Sequence, residues 1–435
     1  VKGLKMRRNN HGRRTGGSRT HRDALRLLTG APAVFAALAL STSTAAASAD
    51  IQDGFWYYND TGLAEVHQAV TGIGVQIALV DGLVNPAAAD LVGTSLAVHE
   101  PSYCAQVDGG AAAPATDSSP RARHTTSMAS LILGTGVGTG GEEGIRGVAP
   151  GASVTTFAAR LDEGVCPMPV DAPAYNAAFL DAVASGPDII VVPGTTDVDP
   201  EDVVEAVRAG VVVVAAGGNH GGAVTGPPAG YNGVVATGTT TADGTTDPGS
   251  PVGDLLGVVA PGADTRSMDP TYSYYGTTTG SSNSAAFTAG ALALAISAFP
   301  DATSNQILQA LVRTTDGSEH EPTRSGDRGF GTVDVRQMLA SDPSRMPDEN
   351  PFIFDTAWSE PQAEDFLDLD APDESETPDA PPPSAAPAPP EESISPLPVA
   401  LGVAALALIA GMSLVLRRRH SSRQTVQSTD SDHHE

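Results

Sequence analysis

The chain has 435 residues and a formal net charge of −27, with 40% hydrophobic and 17% charged residues. That length holds one large core plus flanking segments that need not fold with it, and the hydrophobic share supports a globular majority. Residues 1–49 carry nine Lys/Arg and one acidic residue, so the remainder stands at −35, which excludes a nucleic-acid partner because phosphate binding needs a basic surface.

Residues 1–49 read as a secretory signal. Arg7, Arg8, Arg13, Arg14, Arg19, Arg22 and Arg26 form a basic region, Leu27–Leu40 is apolar, and Ser41–Ala49 is a run of small residues. Cleavage after Ala47 or Ala49 fits the small-x-small rule, and Met6 is a candidate true start. The alternative, an N-terminal membrane anchor, is opposed by the short apolar core. The paired arginines lie too far from that core for a twin-arginine signal.

A folded domain is expected over residues 50–346. Residues 75–80 (VQIALV) are a short apolar run ending in Asp81-Gly82, and similar runs follow at Val154–Ala158, Asp188–Val192, Val211–Ala216, Val234–Thr237 and Leu256–Ala260. Helical patterns fall between or after them at His124–Leu133, Ala174–Ala184, Pro200–Ala209 and Ser284–Ala298. Continuous apolar strands alternating with helices predict an α/β fold, a doubly wound parallel sheet with helices on both faces. Functional residues of such sheets gather at the carboxyl ends of strands, where Asp81 and Asn219 stand.

Cys104 and Cys166 are the only cysteines. In an exported chain an even count suggests a disulfide, which would close a loop of roughly 62 residues and stabilise by about 4 kcal/mol. Two unrelated thiols are the alternative. Neither cysteine sits in a CxxC or Cys/His cluster, so a metal site is poorly supported, and no core acidic cluster has calcium-loop spacing. No cofactor is implied.

Residues 347–396 read as an acidic, proline-rich linker: positions 347–392 hold fourteen Asp/Glu and no Lys/Arg, with Pro381–Pro383 and Pro387–Pro390 adding stiffness. Self-repulsion and low apolar content predict a disordered stalk. Phe352, Phe354, Trp358 and Phe366 are the exception, and either dock the early stalk onto the core or are incidental. Leu397–Leu416 then gives twenty uncharged residues, enough for a helix to span about 30 Å. Arg417, Arg418, Arg419 and His420 follow, so the positive-inside rule leaves 417–435 as a cytoplasmic tail and everything before the span outside. The expected location is the cell membrane, single-pass. A sortase-type wall anchor is the rival, but Leu397-Pro398-Val399-Ala400-Leu401 lacks Thr-Gly.

Hydrolysis by a serine needs a nucleophile, a general base, a carboxylate that orients the base, and donors aimed at the oxyanion. In chain order the sequence offers Asp81, His124, Asn219 and Ser282. Around His124 the run is HTTSMASLILG, around Asn219 it is VVVVAAGGNHGG, and around Ser282 it is GTTTGSSNSAAFTAGALAL. Gly217 and Gly218 would let a substrate backbone come close, and helix N-terminal amides at Ser282 would help hold developing negative charge.

These segments, with WYYNDTGLAEVHQAVTGIGVQIALVD (56–81), GVAPGA (147–152), PPAGYNGVVATG (227–238), VVAPGA (258–263) and GFGTVDV (329–335), resemble the subtilisin superfamily. Within it they are most similar to the mycosin-like proteases of actinobacterial type VII secretion systems. The resemblance runs from Phe55 to about Leu339, and the order of signal, protease domain, proline-rich stalk and terminal helix matches the mycosin plan. It implies a subtilisin-like fold in which Asp81 orients, His124 is the base, Asn219 donates to the oxyanion and Ser282 is the nucleophile. It also places the segment that pairs with a substrate strand at Val191-Val192-Pro193-Gly194. The implied function is a membrane-anchored extracellular serine endopeptidase acting on peptide or protein substrates and associated with a membrane secretion complex. The alternative is a catalytically weak or inactive relative that stabilises such a complex. About thirty residues separate Asp50 from Asp81, fewer than a folded pro-domain normally requires, and in mycosins the N-terminal extension wraps the core.

Several positions depart from the superfamily pattern, among them Gly82 in place of Thr or Ser and Ser281 in place of Thr. Leu83 replaces a glycine, which predicts backbone strain; Thr125 replaces a glycine beside the histidine, which predicts narrowed access; Ala286 replaces a proline. Ser281 and Ser284 compete with Ser282 on chemistry alone, and the register from Ala289-Gly290 selects Ser282.

Overall fold

The protein was analysed as a computed structural model that describes residues 53–106, 111–161, 164–165, 176–196, 198–224, 226–356 and 359–367. The signal segment, Cys166, Trp358, residues 368–396, the apolar stretch 397–416 and the tail 417–435 lie outside the described residues. Among the described residues no helix is long and apolar enough to cross a membrane.

Seven parallel strands form the central sheet: β1 Gln76–Gly82, β2 Leu96–Val98, β3 Ser153–Leu161, β4 Ile189–Val192, β5 Val212–Ala216, β6 Val235–Thr240 and β7 Val258–Pro261. Their order across the sheet is β7-β6-β5-β4-β1-β3-β2, and the short strand Gly164–Val165 pairs antiparallel with the end of β3. The expected apolar runs all became strands of this sheet. Chain order reverses direction at β1, which lies between β3 and β4, so a crevice opens beyond the carboxyl ends there.

Strand alternation sorts side chains onto two cores. Ile77, Leu79, Ile189, Val191, Val212 and Val214 point to one face, where they meet helices α1 (Arg123–Leu133) and α4 (Ser281–Ala298). Ala78, Val80, Ile190, Val192, Val213 and Ala215 point to the other, covered by α2 (Ala177–Ala184) and α3 (Pro200–Arg208). Asp81 follows Ile77 and Leu79 in parity, so its carboxyl faces α1 and α4 rather than α2 and α3.

Local signals set the helix starts. Pro200 opens α3 behind an Asp199/Asp202 capping box, and Thr303 caps α5 (Ser304–Arg313) with Gln306. Helix α4 begins three residues before the expected Ser284, and residues Ala285–Ala295 are entirely buried. Small side chains let this helix press against the sheet; a Cβ on Gly290 would lie 2.6 Å from Val148 Cβ.

Residues 55–57 are packed onto the body. Trp56 Nε1 donates to Ala263 O at 2.8 Å, Tyr57 OH donates to Arg146 O at 2.6 Å, and the Arg266 guanidinium lies 4.6 Å from the Phe55 ring centre.

Of the stretch expected to be linker from residue 347, residues 347–356 and 359–367 are packed onto the folded body instead, and residues 368–396 lie outside the described residues. Phe352 is 1% exposed and meets Phe330 edge-on at 5.5 Å. Asn232, fully buried, donates through Nδ2 to Phe354 O and Pro361 O at 3.1 Å each, and its Oδ1 accepts from the Phe354 N–H at 2.7 Å. Composition misjudged this stretch because a few aromatic and amide contacts outweigh its charge.

Candidate active site

Asp81 is the penultimate residue of β1, its side chain fully buried, and His124 stands in the first turn of α1 with its side chain 30% exposed. His124 Nδ1 lies 2.6 Å from Asp81 Oδ2. Burial alone would push the Asp81 carboxyl up, but the charges of His124 and Arg160 and hydrogen bonds from His124 and Thr125 outweigh it and hold the group at about 2. An ionised carboxylate at that distance requires a proton on Nδ1, so in the neutral imidazole Nε2 is the acceptor.

Arg160 was not picked out by sequence reasoning. Its Nε lies 2.8 Å from Asp81 Oδ1, and its Nη2 lies 3.1 Å from His124 Nδ1. The first contact is one of charge only, since neither Nε nor Oδ1 makes an aligned hydrogen bond. A bulge accounts for its aim: Asp81 pairs with Ala158 but Gly82 pairs with Arg160, so Ala159 is an extra residue in β3. The available signal was the position of an arginine at the carboxyl end of an apolar strand next to β1.

Thr125 does not narrow the cleft. It is 1% exposed, its Oγ1 accepts from the Gly82 N–H at 2.9 Å, and its hydroxyl also supports the Asp81 carboxylate. Nor is Leu83 strained: among the described residues the non-glycine positions with left-handed φ are Asp264, Tyr272 and Asp316. Leu83 is buried against Ala115, Ala122 and Ala158. Ala286 lies inside α4, where it supplies a backbone N–H that proline lacks.

The start of α4 separates the three candidate serines. Ser281 is 1% exposed; its N–H and hydroxyl both donate to Asn219 Oδ1, at 2.7 and 3.0 Å, while its Oγ accepts from the Gly218 N–H at 3.1 Å. Ser284 is fully buried, with its Oγ 3.1 Å from Ala260 O. Ser282 is half-buried, and its hydroxyl donates to Pro193 O at 2.6 Å. Only Ser282 combines access with a position at the helix start.

Asn219 is exposed just beyond β5, with its amide oxygen committed to Ser281 and its Nδ2 near Gly280, where a Cβ would lie 3.3 Å away. Gly218 is exposed with φ +121°, whereas Gly217 is buried, and a Cβ there would lie 2.7 Å from the Pro251 ring. Val192 is 1% exposed at the end of β4, so of the expected substrate-pairing segment its side chain serves the core, while Pro193 and Gly194 reach the site. A Cβ on Gly194 would lie 2.5 Å from Arg160 Nη1. At the crevice beyond the sheet, contacts link Ser282 to Pro193 and link Arg160 to Gly194, His124 and Asp81, while Asn219 is joined to the start of α4 through Ser281. Among the described residues no group of three or more His, Cys, Asp or Glu side chains is arranged to hold a metal ion. Cys104 is buried beside Ala158, its Sγ 3.9 Å from the carbonyl; its expected partner Cys166 lies outside the described residues.

The sequence profile of the subtilase family, Peptidase S8, matches residues 72–333, well over half of the chain. Among solved structures, a lanthipeptide protease is 19% identical with a TM-score of 0.53, covering 66% of this chain and 94% of its own. A protease of Pseudoalteromonas arctica is 24% identical with a TM-score of 0.53, covering 66% and 96%. The MycP3 protease of the type VII (ESX-3) secretion system is 22% identical with a TM-score of 0.51, covering 67% and 90%. At these identities the three structures establish the shared fold. With the family profile lying across β1 through β7 and the residues linked beyond them, the chain belongs to the subtilase family and is a subtilisin-like serine endopeptidase.

Proposed function

We propose that Asp81, His124 and Ser282 form the catalytic triad and that Asn219 donates to the oxyanion. The observation that carries this reading is the 2.6 Å Asp81–His124 contact, in the same crevice as the accessible serine at the start of α4. Substrate would lie extended along Pro193 and Gly194, with Gly218 on the opposite wall. Its arrival draws the Ser282 hydroxyl from Pro193 O towards His124. Nε2 takes the proton as Oγ bonds to the scissile carbonyl carbon, and Asp81 stabilises the resulting imidazolium. Asn219 Nδ2 and the first amides of α4 stabilise the oxyanion. The amine leaves with the proton from Nε2, and water, activated by the same imidazole, hydrolyses the acyl-enzyme.

We further propose that the enzyme is exported, held on the outer face of the cell membrane by 397–416, and tied to a type VII secretion complex. The charge pattern at the two ends of the chain and the likeness to MycP3 support this. A Cys104–Cys166 disulfide suits export.

A fluorophosphonate probe tests the triad: labelling of the wild type and not of Ser282→Ala is expected, and no labelling of folded wild type would sink the reading. Secretion that persists in a Ser282→Ala strain but fails when the whole chain is deleted would point to a structural role in the complex. Protease accessibility on intact cells tests the topology, with digestion of the folded domain expected.

A further inference from the structure

The outer edge of the Arg160 guanidinium has an unmet need. Nε faces Asp81, which supplies a counter-charge. Nη2 lies 3.1 Å from His124 Nδ1, but that nitrogen already carries a proton directed at Asp81 and cannot accept another. Nη1 stands against Gly194, where there is room for it only because no Cβ is present. Among the described residues Asp81 is the single carboxylate paired with Arg160, whose side chain is 15% exposed. A cation this enclosed holds N–H groups that gain much from a charged acceptor and are costly to leave without one.

That edge borders the path of the substrate. His124 marks the reacting bond, and Pro193-Gly194 marks the wall along which the preceding residues would run; Arg160 touches both. We propose that Arg160 is a specificity-determining residue that accepts an acidic side chain from the peptide, on the amino-terminal side of the bond to be cut. This rests on the triad assigned above. A guanidinium can serve two carboxylates at once through its separate edges, so Asp81 need not be released.

Peptides that differ by Asp or Asn at the first, second or third residue before the cleaved bond would test this on the full-length protein. At one of these positions the Asp peptide should show about tenfold or greater kcat/KM over its Asn counterpart. Arg160→Gln should bring that ratio close to one, and Arg160→Lys should keep part of it. The ratio compares two substrates on the same enzyme, so partial unfolding of a variant does not move it. Equal cleavage of Asp and Asn peptides at all three positions by an enzyme that reacts with fluorophosphonate would overturn the proposal and leave the triad standing. A ratio retained in Arg160→Gln would overturn it as well. Absence of both cleavage and probe labelling would remove the triad, and this proposal with it.

Discussion

The two halves of the crevice are held by different forces. On one side, Asp81, His124, Arg160 and Thr125 are fixed by charge and side-chain hydrogen bonds around a buried carboxylate. On the other, Asn219 and Ser282 are fixed by backbone: a glycine-rich strand end and the first turn of a tightly packed small-residue helix, joined through Ser281. The first half should respond to pH and to charge-neutralising substitutions. The second should respond to volume and be largely indifferent to pH. A site divided in this way keeps Ser282 in register even when the charged half is disturbed.

Substitution of each half tests the division. Ser282→Ala removes the chemistry without touching either set of supports, so activity should fall by on the order of 10^6-fold, the scale known for subtilisin, while thermal stability is unchanged. Asp81→Asn strikes the charged half, and kcat should fall by roughly 10^4-fold. Stability should change as well, with a definite sign. Asp81 is held at about 2 against an ordinary 3.8, so it stabilises the fold above pH about 4, and that contribution is lost as pH falls towards 2. The amount is roughly 2 kcal/mol, and acid unfolding curves of wild type and Asp81→Asn should differ in that window by this term.

Asn219→Ala strikes the backbone-held half. A loss of about 10^2- to 10^3-fold in kcat, with KM nearly constant and an unaltered pH profile, is expected. A profile that moved with Asn219→Ala would break the division. Phe352→Ala lies outside the crevice and should cost about 3 kcal/mol in urea unfolding without changing the kcat of the folded fraction. The smallest effect should come from Thr125→Val, which keeps the shape but withdraws a hydroxyl from Gly82 and Asp81: about 1 kcal/mol of stability and a modest fall in kcat. A larger fall in kcat for Thr125→Val than for Asn219→Ala would overturn the ranking of the two halves.

Much of this arrangement could be read from residue order. Apolar runs located six of the seven parallel strands because buried parallel strands leave no polar face to obscure the pattern, and missed β2, a three-residue, partly exposed strand at the sheet edge. Asp81 and Asn219 were singled out because strand ends are where such sheets place function, and both stand at or just beyond the end of a strand. Arg160 was not, since its aim depends on a one-residue bulge at Ala159 that no local pattern marks. Thr125 and Leu83 were misjudged for a related reason: the glycines expected there suggested a need for space or unusual φ, whereas the threonine is a buried support and the leucine fills a small apolar pocket. The start of α4 was set too late because Ser281 and Ser282 look like turn residues until the contact with Asn219 fixes them in the first helical turn.

The segment that threads past Asn232 also has a practical meaning for anyone making this protein. A chain cut at Met346, where composition changes, would lose Phe352 from the core and leave Asn232 with its amide buried and its partners gone. Such a product should collect in the insoluble fraction however well the catalytic residues are preserved. Extending the cut to Leu367 restores every one of those contacts, so twenty-one residues that look expendable decide whether soluble enzyme is obtained.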